Sequence, residues 1–379
     1  MNTPTARLLR LAVSDYRNLA RVELTPPPEG LVVIGDNGQG KTNLLEAIYY
    51  LQILRSARGA RDQDLVRFGT DTFHLSATVE TDARHEIGVG FDRPQRRKRV
   101  RLDGVVRDKL SDALGALPSV MFSPADVELI AGAPNTRRRF LDILLALSEP
   151  GYLAALQRYR GALARRNAAL REAARSGRAS AASVAVWEPP LAEHGAVLWN
   201  ARRAWIASVE GRFEQLSHDI GERARVCIRY ASTLAPADHS HTISAEALAG
   251  ALEEKRPLDL RRGLTHAGPH RDDLSITLDG RDLRVFGSAG QHRTAAIALR
   301  MLEAATFTER AGRAPLFLLD DPFAELDARR ASRILDLLTR DGLGQTVLAV
   351  PREADIPNEL TGLERLRVVA GEITSFNVK

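Results

Sequence analysis

One stretch constrains this chain more than any other: Gly35-Asp36-Asn37-Gly38-Gln39-Gly40-Lys41-Thr42. It follows Leu31-Val32-Val33-Ile34, an apolar β-branched run that predicts a buried strand. It precedes residues 43–51, whose apolar spacing predicts a helix. Strand, glycine loop, Lys-Thr and helix, in that order, are the context a phosphate-binding loop requires. Glycines let the backbone curl so that successive N–H groups converge on an anion. The helix that opens at the loop adds the positive end of its dipole. In such a loop the backbone of Gly35, Asp36, Asn37, Gly38, Gln39 and Gly40 cradles the phosphates of a nucleoside triphosphate. Lys41 reaches the β- and γ-phosphates, and the Thr42 hydroxyl can ligate Mg²⁺. The competing reading is a plain glycine turn, which the complete motif in its context outweighs.

A triphosphate loop needs a second half, and the C-terminal third supplies one. Leu316-Phe317-Leu318-Leu319 is an apolar strand ending in Asp320 and Asp321. Asp320 is placed to hold Mg²⁺, directly or through water. Asp321 is placed to orient or deprotonate an attacking water. The acidic stretch continues through Glu325 to Asp327. Upstream, Ser288-Ala289-Gly290-Gln291 opens a helix and offers a hydroxyl, backbone N–H groups and a dipole end to an anion. In an ABC-type ATPase head such an element completes the site of a second subunit, which predicts an isologous, ATP-made dimer.

The chain has 379 residues, enough for two or three lobes. Two short strands (8–13 and 21–24) precede the phosphate loop, joined by a turn at Asp15-Tyr16-Arg17-Asn18, which suits a head carrying an antiparallel β subdomain. Residues 73–102 alternate like a β meander, with an Asp103-Gly104 turn. From Pro134 the texture becomes helical. Leu156, Leu163 and Leu170 fall at seven-residue steps, a Ser/Gly/Ala-rich break spans 176–183, and a second helix runs from Leu191 to about Arg223. These predict a short antiparallel helical arm. Strand pattern returns at 225–230, where Cys227 is expected to be buried. His239 and His241 follow in a polar loop and are not expected to ligate metal. The polar cluster Gly268-Pro269-His270-Arg271-Asp272-Asp273 has the density of a site loop.

The expected fold is α/β: a P-loop ATPase head from 1–120 and 264–379, with an antiparallel β subdomain, plus a mainly helical insertion at 121–263. The net charge of +5 fits a nucleic-acid partner without requiring one. Only five of the 53 basic residues are lysines, so a lysine in the phosphate loop is the more informative. Two basic stretches could track a phosphate backbone: Arg55 and Arg58 after the P-loop helix, and Arg96, Arg97, Lys98 and Arg99 on a hairpin. A solvated charge run explains either equally well. A single cysteine excludes an internal disulfide framework. No apolar run reaches membrane-spanning length and no leader pattern stands at Met1–Arg10, so the expected location is cytoplasmic, with no membrane partner.

Taken together, the phosphate loop, the helical insertion, Gly268–Asp273, Ser288–Gln291 and Asp320–Asp321, in that order, resemble the RecF family of SMC/ABC-type ATPases. Asp15–Asn18, Phe122-Ser123-Pro124 through Asp126, and Thr136-Arg137-Arg138-Arg139-Phe140-Leu141-Asp142 support the resemblance, which covers essentially the whole length. It implies an ATP-dependent DNA-binding homodimer that recognises single-stranded and junction or gapped duplex DNA. It further implies action with RecO and RecR mediators to help load RecA, a link to the SOS response, and slow ATP hydrolysis as a release switch. On that resemblance Lys41, Asp320 and Asp321 serve hydrolysis, and Ser288, Gly290 and Gln291 contact the partner's γ-phosphate. No histidine switch stands at 346–351 and no glutamine at 122–126. Rival readings are the ATPase subunit of an ABC transporter, which would not need the helical arm, and a long-armed SMC-type chromosome protein, which would need a hinge and heptad arms.

Overall fold

The computed structural model describes residues 4–176, 181–234, 242–323, 326–340 and 344–376. Before the phosphate loop lie β1 (Arg7–Tyr16), β2 (Leu19–Leu24) and β3 (Gly30–Ile34); after it come α1 (Lys41–Ile53), β4 (Thr72–Glu80), β5 (Arg84–Asp92), β6 (Arg97–Leu102), β7 (Val105–Arg107) and β8 (Ser119–Phe122). The helical region follows as α2 (Glu128–Ala131), α3 (Pro134–Ser148), α4 (Tyr152–Ser176), α5 (Ala181–Ala185), α6 (Glu188–Ile220), β9 (Val226–Ala231) and α7 (Ala245–Arg262). The chain then forms β10 (Asp273–Leu278), β11 (Arg281–Asp282), α8 (Leu283–Phe286), α9 (Ala289–Ala311), β12 (Leu316–Asp320), α10 (Ala328–Arg340), β13 (Thr346–Val350), β14 (Glu364–Val369) and β15 (Glu372–Ser375).

These elements form two compact units. The first comprises residues 1–126, 219–221 and 297–379; the second comprises 127–218 and 222–296. The expected insertion therefore ends too early at 263. Residues 264–296 belong with the helical unit because β10 pairs with β9 along its whole length, and Asp273 holds Arg137 of α3 through two hydrogen bonds of 2.7 and 2.8 Å.

The first unit has two six-stranded sheets. One is antiparallel, ordered β2-β1-β4-β5-β6-β7; the other is ordered β15-β14-β3-β13-β12-β8 and is parallel except for its β14–β15 hairpin. In β3, β12 and β13 every residue is buried and most are apolar, as in strands covered on both faces. Helix α1 packs against both sheets. From Leu44 to Ile53 every residue of it is buried, so its polar side chains need internal partners. The Gln52 amide oxygen accepts from the backbone N–H of Ser119 at 3.1 Å. Tyr16, Tyr50 and Phe73 meet edge to face, with ring centroids 5.3–6.1 Å apart, where α1 meets the antiparallel sheet. The Asp103-Gly104 turn forms as expected, both residues taking positive φ.

Helix α6 runs 33 residues and ends where Gly221 takes φ 122°. The expected break at 176–183 holds α5 from Ala181 onward; 177–180 lie outside the described residues. So do His239, His241, Ala324 and Glu325. Cys227 is half-buried on β9 rather than buried. The Gly268–Asp273 cluster is a structural knot more than an open loop. Asp272 accepts from Tyr230 and Ser232, both at 2.7 Å, and the Pro269 carbonyl accepts from Arg202 at 2.7 Å. His270 Nε2 donates to the Thr265 carbonyl, so its Nδ1 accepts from the Tyr159 hydroxyl at 2.6 Å. Burial pushes the His270 pKa down to about 4, which keeps that neutral tautomer. Deeper still, Arg166 is fully buried between Asp259 and Glu188.

Candidate nucleotide site

Register within the parallel sheet assembles the site. In β13, Val350 lies opposite Ile34 of β3, and Ala349 lies opposite Asp320 of β12. The ends of β3 and β12 thus share one sheet edge with β13 between them. Ligands of open α/β sheets bind at this carboxyl edge. The loop leaving β3 is Gly35–Gly40, and α1 begins at Lys41 with Gly40 as its N-cap at φ 122°. A Cβ at Gly40 would stand 2.9 Å from the Asn18 amide. Two separate segments fix the loop: the Asn18 side chain donates to the Gln39 carbonyl at 3.0 Å, and the Gly371 N–H donates to the same oxygen at 2.8 Å. The Gln39 side-chain oxygen accepts from the Ala370 N–H.

The Lys41 ammonium folds back on the loop and donates to the carbonyls of Gly35 and Asp36. Burial lowers its pKa against the pull of Asp320, Asp321 and Asp36. Thr42 Oγ1 donates to Asp320 Oδ2 at 2.8 Å, joining residues 278 positions apart. Burial raises the Asp320 pKa, while the Thr42 hydrogen bond and the Lys41 charge work to lower it. A hydroxyl and a carboxylate side by side are the hard oxygen donors that suit Mg²⁺. Asp321 follows at φ 46°, its N–H held by the Ala349 carbonyl at 2.9 Å.

Sequence reasoning missed the network under this loop. Glu46, one helical turn past Thr42, is fully buried and accepts from Arg17 (2.7 and 3.2 Å), Arg58 and Ser56. Burial would raise its pKa; the hydrogen bonds from Arg58, Arg17 and Ser56 outweigh that and hold it below the usual carboxylate range. Arg58 also donates to Asn43, and Asn43 donates to Asn18, which holds the loop. The Asp15–Asn18 turn carried the signal: Arg17 and Asn18 both serve this network.

The basic candidates separate by strand alternation. Arg97 and Arg99 are exposed on one face of β6, and Arg96 is exposed at the hairpin tip. Lys98 points the other way: it pairs with Asp62 at 2.7 Å, donates to the Leu54 carbonyl and lies over the Tyr50 ring. Its placement among the DNA contacts is thereby corrected, because adjacent strand residues face opposite sides. Arg55 is exposed, whereas Arg58 is bound to Glu46 and Asn43.

Ser288, Gly290 and Gln291 belong to the second unit. The Ser288 N–H donates to the Gln291 side chain at 2.9 Å and the Gln291 N–H to the Ser288 hydroxyl at 3.3 Å, a reciprocal capping box at the start of α9. Ser288 and Ala289 are exposed, as are Val285 and Phe286 just before them.

A parallel sheet carrying a phosphate loop and a strand-terminal aspartate on one edge, with an antiparallel sheet across the loop's helix, defines an ATPase head of the SMC/ABC class. The RecF/RecN/SMC N-terminal domain family matches residues 7–357. Two proteins named DNA replication and repair protein RecF are similar over nearly their whole length. The one from Anaeromyxobacter dehalogenans (strain 2CP-C) is 39% identical, over 98% of this chain and 96% of its own. The one from Herpetosiphon aurantiacus is 34% identical, over 96% and 98%. Among solved structures, the recombination mediator RecF with ATP, of the RecFOR pathway, superposes with a TM-score of 0.90 at 28% identity, covering 99% of each chain. An Smc head domain from Pyrococcus furiosus, at 16% identity and a TM-score of 0.56, shares the fold. This chain belongs to the RecF family. Among the described residues no helix is long and apolar enough to cross a membrane.

Proposed function

We propose that this chain is an ATP-gated DNA-binding protein of recombinational repair and replication restart. In this reading its ATP-bound dimer holds single-stranded, junction or gapped duplex DNA, works with RecO and RecR to help load RecA, and leaves on slow hydrolysis. The observation that carries the reading is the 2.8 Å contact of Thr42 with Asp320, which brings the two halves of a triphosphate site together. Lys41 exchanges the Gly35 and Asp36 carbonyls for β- and γ-phosphate oxygens, and the loop N–H groups take the remaining charge. Thr42 and Asp320 would hold Mg²⁺, which neutralises phosphate charge when bound. Asp321 orients the attacking water. Ser288, Gly290 and Gln291 of a second copy close the site over the γ-phosphate; the exposed Val285 and Phe286 beside them support a face that becomes covered. Arg96, Arg97 and Arg99 with Arg55 are the DNA contacts this geometry favours, Arg58 only if it leaves Glu46. DNA affinity measured with and without ATP across a salt titration tests the reading; affinity indifferent to ATP would defeat it.

A further inference from the structure

The loop between α1 and β4 carries the most exposed large apolar side chain among the described residues: Phe68 is 97% exposed, where the others on the surface reach 41–64%. A lone apolar side chain on a surface is ordinary, but this one is held out by a built turn. The Thr70 N–H donates to the Arg67 carbonyl at 3.2 Å and Gly69 takes φ 84°, which puts Phe68 and Gly69 at the two central positions of a type II turn. The Thr70 hydroxyl closes on the same carbonyl at 3.0 Å. Before the turn, the Arg17 N–H donates to the Leu65 carbonyl at 2.7 Å and the Arg67 N–H to the Asp15 carbonyl at 2.8 Å. After it, the Arg93 N–H donates to the Asp71 carbonyl at 2.8 Å, while the Arg93 guanidinium donates to the Val66 and Gln63 carbonyls. The backbone under the ring is fixed on both sides, and the ring itself has almost no protein against it.

The charges around the ring are sorted. Arg67 is paired with Asp15 and Lys98 with Asp62. The other charged residues of 61–71 and 92–99 are Arg61, Arg93, Arg96, Arg97 and Arg99 against Asp64, Asp71 and Asp92. Asp64 and Asp71 flank the ring in its own loop, whereas four of those five arginines lie on the β5–β6 hairpin, where Asp92 accepts from the Gln95 N–H. Thr72, Asp92 and Arg97 are register partners across β4, β5 and β6, so Arg97 stands two strand spacings, roughly 10 Å, from the strand that the ring's loop enters. A phosphate against the ring would meet two carboxylates; a nucleobase is neutral and offers a π-face. No other exposed large apolar side chain belongs to 61–71 or 92–99, whereas the anchor of a protein interface sits within a packed apolar core.

We propose that Phe68 is a stacking platform for an unpaired base, with the sugar-phosphate backbone of the same strand on Arg96, Arg97 and Arg99. The proposal rests on the DNA-binding reading above and names the feature of the DNA that is selected. Stacking on an aromatic face is tolerant of sequence, because every base has a π-face. Inside a continuous duplex each base is already stacked on both sides, so the ring gains nothing there. A gap or junction frees a face. Phe68 therefore adds affinity for gapped over continuous DNA, while the arginines add affinity for both.

Fluorescence anisotropy of the full-length protein with ATP, on a gapped duplex and on a continuous duplex of the same length, is the test. Phe68→Ala should weaken binding to the gapped duplex at least about fivefold. It should leave continuous-duplex affinity, the salt dependence on both DNAs and the Tm as in wild type. Phe68→Leu should lose gapped-duplex affinity as alanine does and Phe68→Trp should keep it, which separates a π-face from a merely apolar contact. A fluorescent purine analogue at the first unpaired position should be quenched by wild type and not by Phe68→Ala. A Phe68→Ala protein with the wild-type preference for gapped DNA, or a Phe68→Leu protein that binds as wild type does, overturns the proposal; retained preference would turn the ring over to a protein partner. Wild-type DNA affinity indifferent to ATP defeats the proposed function instead, and the ratio of affinities for the two DNAs still decides the stacking.

Discussion

Glu46→Gln is the most informative single substitution in the first unit. The wild-type carboxylate is fully buried and meets two guanidinium groups and a hydroxyl. A glutamine keeps the shape but removes the charge and turns an NH₂ toward at least one arginine. Breaking a buried ion pair from one side costs about 3–5 kcal/mol. Arg17 and Arg58 are 21% and 40% exposed and can recover some hydration, which favours the lower end. With a shift of roughly 2–4 °C per kcal/mol for domains of this size class, about 3 kcal/mol corresponds to a Tm lower by roughly 6–12 °C. The pH dependence supplies a second check. The Glu46 pKa is held low in the fold, so its stabilisation is fully present above the unfolded value of about 4.3 and is lost as pH falls through the folded value. The gap between wild type and variant should hold steady from about pH 7 to 5 and narrow below about 4.3. Thermal unfolding followed by far-UV circular dichroism reads both. A Tm within about 2 °C of wild type at pH 7 would refute the reasoning, as would a gap unchanged at low pH.

The remaining predictions address the loop, the hairpin and the knot. Gly40→Ala forces a side chain into φ 122° and against Asn18, which should cost about 1–3 kcal/mol and at least a tenfold loss of ATP affinity by equilibrium dialysis; unchanged affinity would contradict the loop geometry. The Arg97→Gln/Arg99→Gln double variant should reduce the slope of log DNA affinity against log salt by about two, whereas Lys98→Met should lower Tm and leave the slope alone. The reverse pattern would move the DNA contacts to the other face of β6. His270 is neutral in the fold with its pKa near 4, so the unfolded chain binds its proton first; stability should fall as pH drops from about 6.5 toward 4. A His270→Gln protein that shows the same loss over that range would assign it to other groups.

Local pattern carried the strands and helices around the nucleotide site, because a strand, a glycine loop and a helix are specified within twenty residues. The capping box at Ser288 was equally local. What lay beyond the sequence were contacts closed by distant chain. Glu46 falls on a helix whose whole circumference is buried, so no polar stripe sets it apart. The grip of Ala370 and Gly371 on Gln39 joins positions more than 300 residues apart. The unit boundary was misplaced because β9 and β10 pair across α7, which no periodicity announces. Lys98 is the exception: alternation along β6 already separates it from Arg97 and Arg99.

The central claim is that Gly35–Thr42 with Asp320 and Asp321 is half of a site that a second copy completes. Light scattering coupled to size exclusion, with and without ATP, tests it on wild type, Lys41→Ala and Ser288→Arg. The account predicts a monomer-to-dimer shift in wild type only, with Ser288→Arg still binding ATP as a monomer. Nucleotide-induced dimerisation that persists in Lys41→Ala, or a wild-type mass indifferent to ATP, would contradict it.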